Sequence, residues 1–153
     1  MSRITEIFLV ETVAQQALVV QGRATESEIP AAIALGLKKL EEYFQNKSLN
    51  ASDSPFLRVS GQDSLSLEIM VGIGIPWPDK GSGDIQNYVI PAGKKIFCYC
   101  LGDGSELMPV YEEMRGFAAQ KGYDASDLCF EYFLNSPEYG LDKLLTKILL
   151  ILN

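Results

Sequence analysis

Apolar residues along the chain recur at every second position in some stretches and at every third or fourth in others. Near the N-terminus, residues 4–11 (ITEIFLVE) and 15–22 (QQALVVQG) have the apolar, β-branched character of strands. Ile29, Ile33, Leu37, Leu40 and Phe44 then share one face of a helix predicted from Glu26 to Asn46. Thr25 and Glu28 form a capping box at its start, a hydroxyl and a carboxylate satisfying free backbone amides. Two more strands, residues 54–60 and 64–75, precede the Pro- and Gly-rich segment IPWPDKGSGD, the clearest break in the pattern.

The second half repeats the order. Residues 87–90 and 94–102 read as strands that meet at the turn Pro91-Ala92-Gly93. Asp103 and Glu106 predict a second capping box, opening a helix that runs to Lys121 with Leu107, Val110, Tyr111, Met114, Phe117 and Ala118 facing inward. Residues 130–135 and 143–152 close the chain as strands. A weak echo underlies this order. Ser27-Glu28-Ile29-Pro30 returns as Ser105-Glu106-Leu107 followed by Pro109, and Asn50-Ala51-Ser52-Asp53 returns as Asp124-Ala125-Ser126-Asp127. Echoes in matching order favour a duplication, with one repeat over residues 1–75 and the other over residues 86–153 of a single domain. Two β-α-β-β repeats join most simply into one antiparallel sheet with both helices on one face, an α+β fold. A pseudo-twofold axis would pass between the halves, and splayed helices would leave a central cleft suited to a small molecule.

The stretch DLCFEYFLN (residues 127–135) carries the candidate chemistry. Alternation puts Cys129, Glu131 and Phe133 on one face of a strand and Leu128, Phe130, Tyr132 and Leu134 on the other. On a buried face, Glu131 needs a partner or an altered pKa; on the wet face of an antiparallel sheet it needs neither. Candidate aromatic walls for a ligand are Tyr111, Phe117, Phe97, Tyr99, Phe133 and Trp77, and each of these also fits ordinary core packing. Trp77, in its Pro-flanked loop, is placed to close the mouth of a cleft. Glu68 is a second acid in a predicted strand. Gly72-Ile73-Gly74 is no phosphate cradle, because no helix follows it.

Composition narrows the function. Twenty acids against thirteen bases, a net charge of −7, argue against a surface that tracks nucleic-acid phosphates. The chain has no histidine, which removes the usual general base, metal ligand and haem ligand together. No catalytic residue, metal or cofactor is assigned. Three cysteines without a secretory leader fit a reducing cytoplasm, and Cys98 and Cys100, two apart in a strand, read as small core residues. The C-terminal LLTKILLILN is too short to span a bilayer, so no membrane partner is expected.

Residues 89–137, VIPAGKKIFCYCLGDGSELMPVYEEMRGFAAQKGYDASDLCFEYFLNSP, with LLTKILLIL after them, resemble the GyrI-like family, also known as the AraC-type effector-binding domain. Ile90 to Lys94 match the family's "IPAGK" turn and Gly122-Tyr123 its helix end. Glu131 with Phe133 to Pro137 matches its "E-x-Y-L-N-D-P" strand, with Phe133 in place of Tyr and Ser136 in place of Asp. The resemblance implies the duplicated β-α-β-β fold and a ligand site in the cleft. There an acid, here Glu131, would meet the charge of hydrophobic cationic compounds. It implies a stand-alone binding module that is not an enzyme, acting by sequestration or by signalling to a separate DNA-binding regulator. Two alternatives come with it: hydrolysis of strained electrophilic molecules, with Glu131 and Tyr111 or Tyr99 positioning water, and a gyrase-inhibiting interaction. Lys147 stands where the family's last strand usually has an acid; facing the cleft, it would pair with Glu131.

Overall fold

The structure is a computed structural model that describes residues 1–61, 65–104 and 107–153. Its strands are β1 (Ser2–Arg3), β2 (Phe8–Thr12), β3 (Gln15–Ala24), β4 (Phe56–Ser60), β5 (Leu67–Gly74), β6 (Gly81–Ser82), β7 (Ile85–Ile90), β8 (Gly93–Leu101), β9 (Ala125–Phe133) and β10 (Leu145–Leu152). The two α-helices are α1 (Ile29–Asn46) and α2 (Met108–Gln120). The chain forms two compact units, one of Ala14–Pro91 and one of Met1–Val13 with Ala92–Asn153. None of the described helices is long and apolar enough to cross a membrane.

The unit of residues 14–91 is an antiparallel sheet in the order β4-β5-β3-β7-β6. The other unit is an antiparallel sheet in the order β9-β10-β8, with the far edge of β8 shared by β1 and β2. Both units run strand, helix, strand, strand, and in both the third strand lies beside the first. The class is therefore α+β, built from two β-α-β-β units as the sequence pattern predicts.

Close contact explains the composition of β5, which is buried everywhere except at Glu68. Val71 faces α1, and a Cβ added to Gly36 of that helix would stand 3.1 Å from the Val71 Cβ. Glycine at position 36 lets helix and strand approach this closely. On the other face of β5, the ring of Phe56 lies over Gly72, where a Cβ would meet its Cζ at 2.3 Å.

The observed ends differ from the predicted ones where side chains take over backbone bonds. The first strand was expected to begin at Ile4; β2 begins at Phe8. Ile4 still donates to the Tyr99 carbonyl at 2.9 Å, but the Tyr99 amide turns to the Thr5 hydroxyl at 3.0 Å, which breaks the ladder there. β9 stops at Phe133, and the Asn135 side chain accepts from the Leu145 amide and donates to the Lys143 carbonyl, both at 2.8 Å. α1 opens on a 3₁₀ turn, Glu26–Glu28, in which the Thr25 amide donates to the Glu28 carboxylate at 2.9 Å. α2 starts at Met108, with Pro109 in its first turn, so the expected start after Asp103 is too early. Glu106 and Ser105, which carry the second capping box and part of the echo, lie outside the described residues, as does Ser64 at the predicted start of β5.

Phe56 is fully buried, so its ring cannot swing away from a new methyl at position 72. Gly72→Ala is expected to lower stability by roughly 1–3 kcal/mol, the range for overpacking. Adding Phe56→Leu should recover part of that loss, read as the urea midpoint of single and double variants.

Candidate functional site

In the unit formed by residues 1–13 and 92–153, α2 packs on one face of the sheet. Val110, Met114 and Ala118 meet Ile96, Cys98 and Cys100 of β8 and Ile148, Leu150 and Leu152 of β10. Register carries that face onto β9, where Glu131 stands opposite Ile148, Cys129 opposite Leu150 and Phe133 opposite Thr146. Glu131 therefore lies on the helix-covered side.

Tyr111 follows Val110 on α2, so its side chain leaves the flank of the helix that overhangs β9. Its hydroxyl hydrogen-bonds the Glu131 carboxylate and also lies within reach of the Cys129 sulfur. One turn further along, Arg115 donates to the Ser126 carbonyl at 3.3 Å and ties the same flank to the start of β9. Glu131 keeps some contact with solvent, but the protein around its carboxylate disfavours charge. Burial pushes its pKa up to about 7, against the opposing pull of the Tyr111 hydrogen bond. Burial, then the charge of Glu131, push the Tyr111 phenol above its ordinary range. The Cys129 thiol rises to about 12, first by burial and then by Glu131, with Tyr111 and Arg115 opposing. The cluster thus holds an acid that titrates near neutrality, beside a phenol and a thiol that stay protonated. It suits recognition of charge or transfer of a proton, and it contains no activated nucleophile.

Among the other expected site residues, Phe133 shares the face of Glu131 and is half-buried. Phe117 lies on α2 against the core, with the Lys121 ammonium 5.7 Å from its ring centre. Phe97 and Tyr99 occupy odd positions of β8 and so point to the opposite face from Ile96, Cys98 and Glu131. The expectation that they wall the same site as Glu131 is corrected by strand alternation. Trp77 belongs to the unit of residues 14–91, in the loop after β5, and is 51% exposed. Glu68 is exposed and pairs with Arg23 at 3.2 Å, as a surface-strand acid would.

Lys147 does not pair with Glu131. It stands opposite Tyr99 and Tyr132, on the face away from α2. Its ammonium lies 4.7 Å from the centre of the Phe97 ring and 5.5 Å from that of Tyr132. Sequence reasoning gave Cys129 no part in the site and did not find Arg115, which acts on Cys129 and the start of β9. Cys129 was visible two positions before Glu131 on one strand face; Arg115 was visible only as one helical turn beyond Tyr111. Lys95 was also missed: it is fully buried on the Lys147 side, where it donates to the Thr12 hydroxyl.

The sister unit gives an internal reference. In β4, the strand that follows α1 as β9 follows α2, the positions facing the helix are Leu57, opposite Val71, and Val59, opposite Ile69. The carboxylate at Glu131 replaces what the same frame elsewhere fills with a branched aliphatic side chain.

Comparison with solved structures gives matches along nearly the whole chain. The C-terminal domain of EcmrR is similar over 98% of this chain and 98% of its own, at a TM-score of 0.80 and 14% identity. In the complex of EcmrR with DNA the match spans 97% of this chain and 57% of the EcmrR chain, at the same TM-score and identity. A hydrolase from Listeria innocua matches at 0.73 with 11% identity, over 97% of this chain and 92% of its own. SAV2435 bound to tetraphenylphosphonium matches at 0.60 with 12% identity, over 97% and 94%. At these identities the likeness establishes the fold. A search of curated protein sequences found no match. The model of the GyrI-like small molecule binding domain matches residues 5–152, and the chain belongs to that family.

Proposed function

We propose that this GyrI-like domain binds hydrophobic, cationic small molecules at Glu131, with Tyr111 and Phe133 beside the carboxylate. The observation that carries the reading is the placement of Glu131 itself, a half-buried acid at a helix–sheet contact whose hydrogen-bond partner is a neutral tyrosine hydroxyl. A carboxylate so placed gains more from a cation than one in water, and it penalises ligands that leave it unpaired. The similar SAV2435 was solved with a lipophilic phosphonium cation, which supports this ligand class. The similarity to EcmrR, which was solved on DNA, supports a role in signalling through a DNA-binding regulator. The domain acts by binding, without chemistry on its ligand.

A second reading, hydrolysis, has one observation in its favour. An acid that titrates near pH 7 beside a phenol is suited to general-base work, and a similar Listeria protein is described as a hydrolase.

Two experiments test the first reading. Glu131→Gln keeps shape and removes charge. It should weaken tetraphenylphosphonium binding by roughly 1.5–3 kcal/mol, the scale of a contact to a charged group, and leave neutral triphenylphosphine oxide unchanged or tighter. Calorimetric titration of both ligands with both proteins checks this; equal weakening of the two would give Glu131 a shaping role only.

The second experiment uses pH. The folded pKa of Glu131 is raised from 4.5 to about 7, so between those values the unfolded chain holds fewer protons than the native one. Wild-type stability should therefore fall, relative to Glu131→Gln, as pH rises through that window. The loss is at most about 3 kcal/mol, complete above pH 7 and absent below the unfolded value. Cation affinity should run the other way, falling about tenfold per unit as pH drops below the folded pKa, with a proton released on binding. Denaturation midpoints and calorimetry in buffers of different ionisation enthalpy report both; a flat profile in each would return Glu131 to an ordinary exposed acid.

A further inference from the structure

The unit of residues 14–91 has its own concavity on the sheet face turned away from α1. An open hollow of about 290 Å³ is lined by Gln21, Arg23, Arg58, Ser60, Glu68 and Met70, side chains from β3, β4 and β5. Register explains why they converge. Arg58 stands opposite Met70 and Met70 opposite Gln21, while Ser60 stands opposite Glu68 and Glu68 opposite Arg23. Two neighbouring rows thus build the hollow on one face of three adjacent strands.

Among the described lining residues the charges are not balanced. Arg23 is committed to Glu68 at 3.2 Å and to the hydroxyl and carbonyl of Ser66 at 3.1 and 3.0 Å, and Ser60 donates to Glu68 at 3.3 Å. That row is neutral and internally bonded. Arg58 has no carboxylate partner among the described residues. One arm of its guanidinium donates to the Tyr88 hydroxyl at 3.2 Å, and its central carbon lies 6.0 Å from the centre of the Tyr88 ring. Tyr88 holds the group by one edge and leaves its remaining donors for the hollow. A planar fork, half-buried and held in place, matches the two oxygens of a carboxylate.

We propose that this hollow is a second ligand site, for a small planar monocarboxylate. Arg58 takes the carboxylate, Met70 forms the apolar floor, and Gln21 with the Ser60–Glu68–Arg23 row offers hydrogen bonds to the remaining polar atoms. The single excess positive charge among the described lining residues, Arg23 and Arg58 against Glu68, points to a monoanion. The volume, near the lower end of ligand pockets, limits it to the size of a small metabolite. This site has the opposite charge preference to Glu131, uses none of the same residues and does not depend on that reading.

Salicylate and its neutral isostere salicylamide are the probes, titrated by calorimetry against the intact chain. The expected result is millimolar or tighter binding of salicylate and at least tenfold weaker binding of the amide. Arg58→Met should weaken salicylate by about tenfold or more. Arg58→Lys, which keeps charge but loses the fork, should fall between the two. Urea midpoints without ligand show whether each variant is folded, and the comparison of acid with amide on the wild-type chain stands even where a variant is not. Equal binding of acid and amide, undiminished binding by folded Arg58→Met, or no binding of salicylate at millimolar concentration would each overturn the proposal.

Discussion

A side chain on a strand points to one face or the other, and the arrangement of charge in residues 92–153 depends on that constraint. Glu131, opposite Ile148, lies under α2, while Lys147, one position earlier on the same neighbouring strand, lies on the far face among Phe97 and Tyr132. The two groups are near in sequence register yet separated by the thickness of a sheet. A slip of one residue between β9 and β10 would put acid and lysine on one side and satisfy both. The core prevents it, because the same slip would turn Ile148 and Leu150 out from under α2. Hydrophobic packing therefore fixes the register and, with it, the separation of Lys147 from Glu131.

Both faces bear a cost. On the far side, Lys95 is fully buried with the Thr12 hydroxyl as its partner, and burial, with the charge of Lys147 added, lowers its pKa. On the helix side, burial raises that of Glu131. Stability alone would favour an aliphatic residue at position 131, which is what the sister unit carries as Leu57 and Val59. The duplicated frame keeps an apolar contact in one copy and places a carboxylate in the other, at a cost in stability.

Much of this was legible in the chain. The strand-helix-strand-strand order, the inward faces of both helices and the common face of Cys129, Glu131 and Phe133 all follow from periodicity. The aromatic surroundings of Glu131 were legible only in part, through Tyr111, expected on the inward face of the second helix. Tyr111 comes to it from another element, and Phe97 and Tyr99 leave for the other face, a matter of which parity of β8 packs under α2. Periodicity gives two faces to each strand; only pairing and helix docking say which face matches which. The misplaced ends have the same origin, since Thr5 and Asn135 end strands by supplying side-chain atoms where the ladder needs backbone. Nothing in local pattern marks one threonine or asparagine as doing so. Arg58 was equally hidden, because its meaning depends on Tyr88, thirty positions away, and on the commitment of Arg23 to Glu68.

The two units show how one frame supports different chemistry. In residues 14–91 the face toward α1 is aliphatic through Leu57, Val59, Ile69 and Val71, and the polar groups gather on the other side of the same strands. In the second unit an acid sits under the helix, and Lys95 and Lys147 are on the far side. Each β-α-β-β unit needs one apolar face for its helix, and that need is met by β5 and β3 in one unit and by β8 and β10 in the other. The strand that follows each helix, β4 or β9, meets it differently: β4 turns Leu57 and Val59 to the α1 side, while β9 meets Tyr111 and Arg115 of α2. Arg58 lies on β4 and Glu131 on β9, so each copy carries its distinguishing charge on the strand that follows its helix, Arg58 on the face away from α1 and Glu131 on the face toward α2.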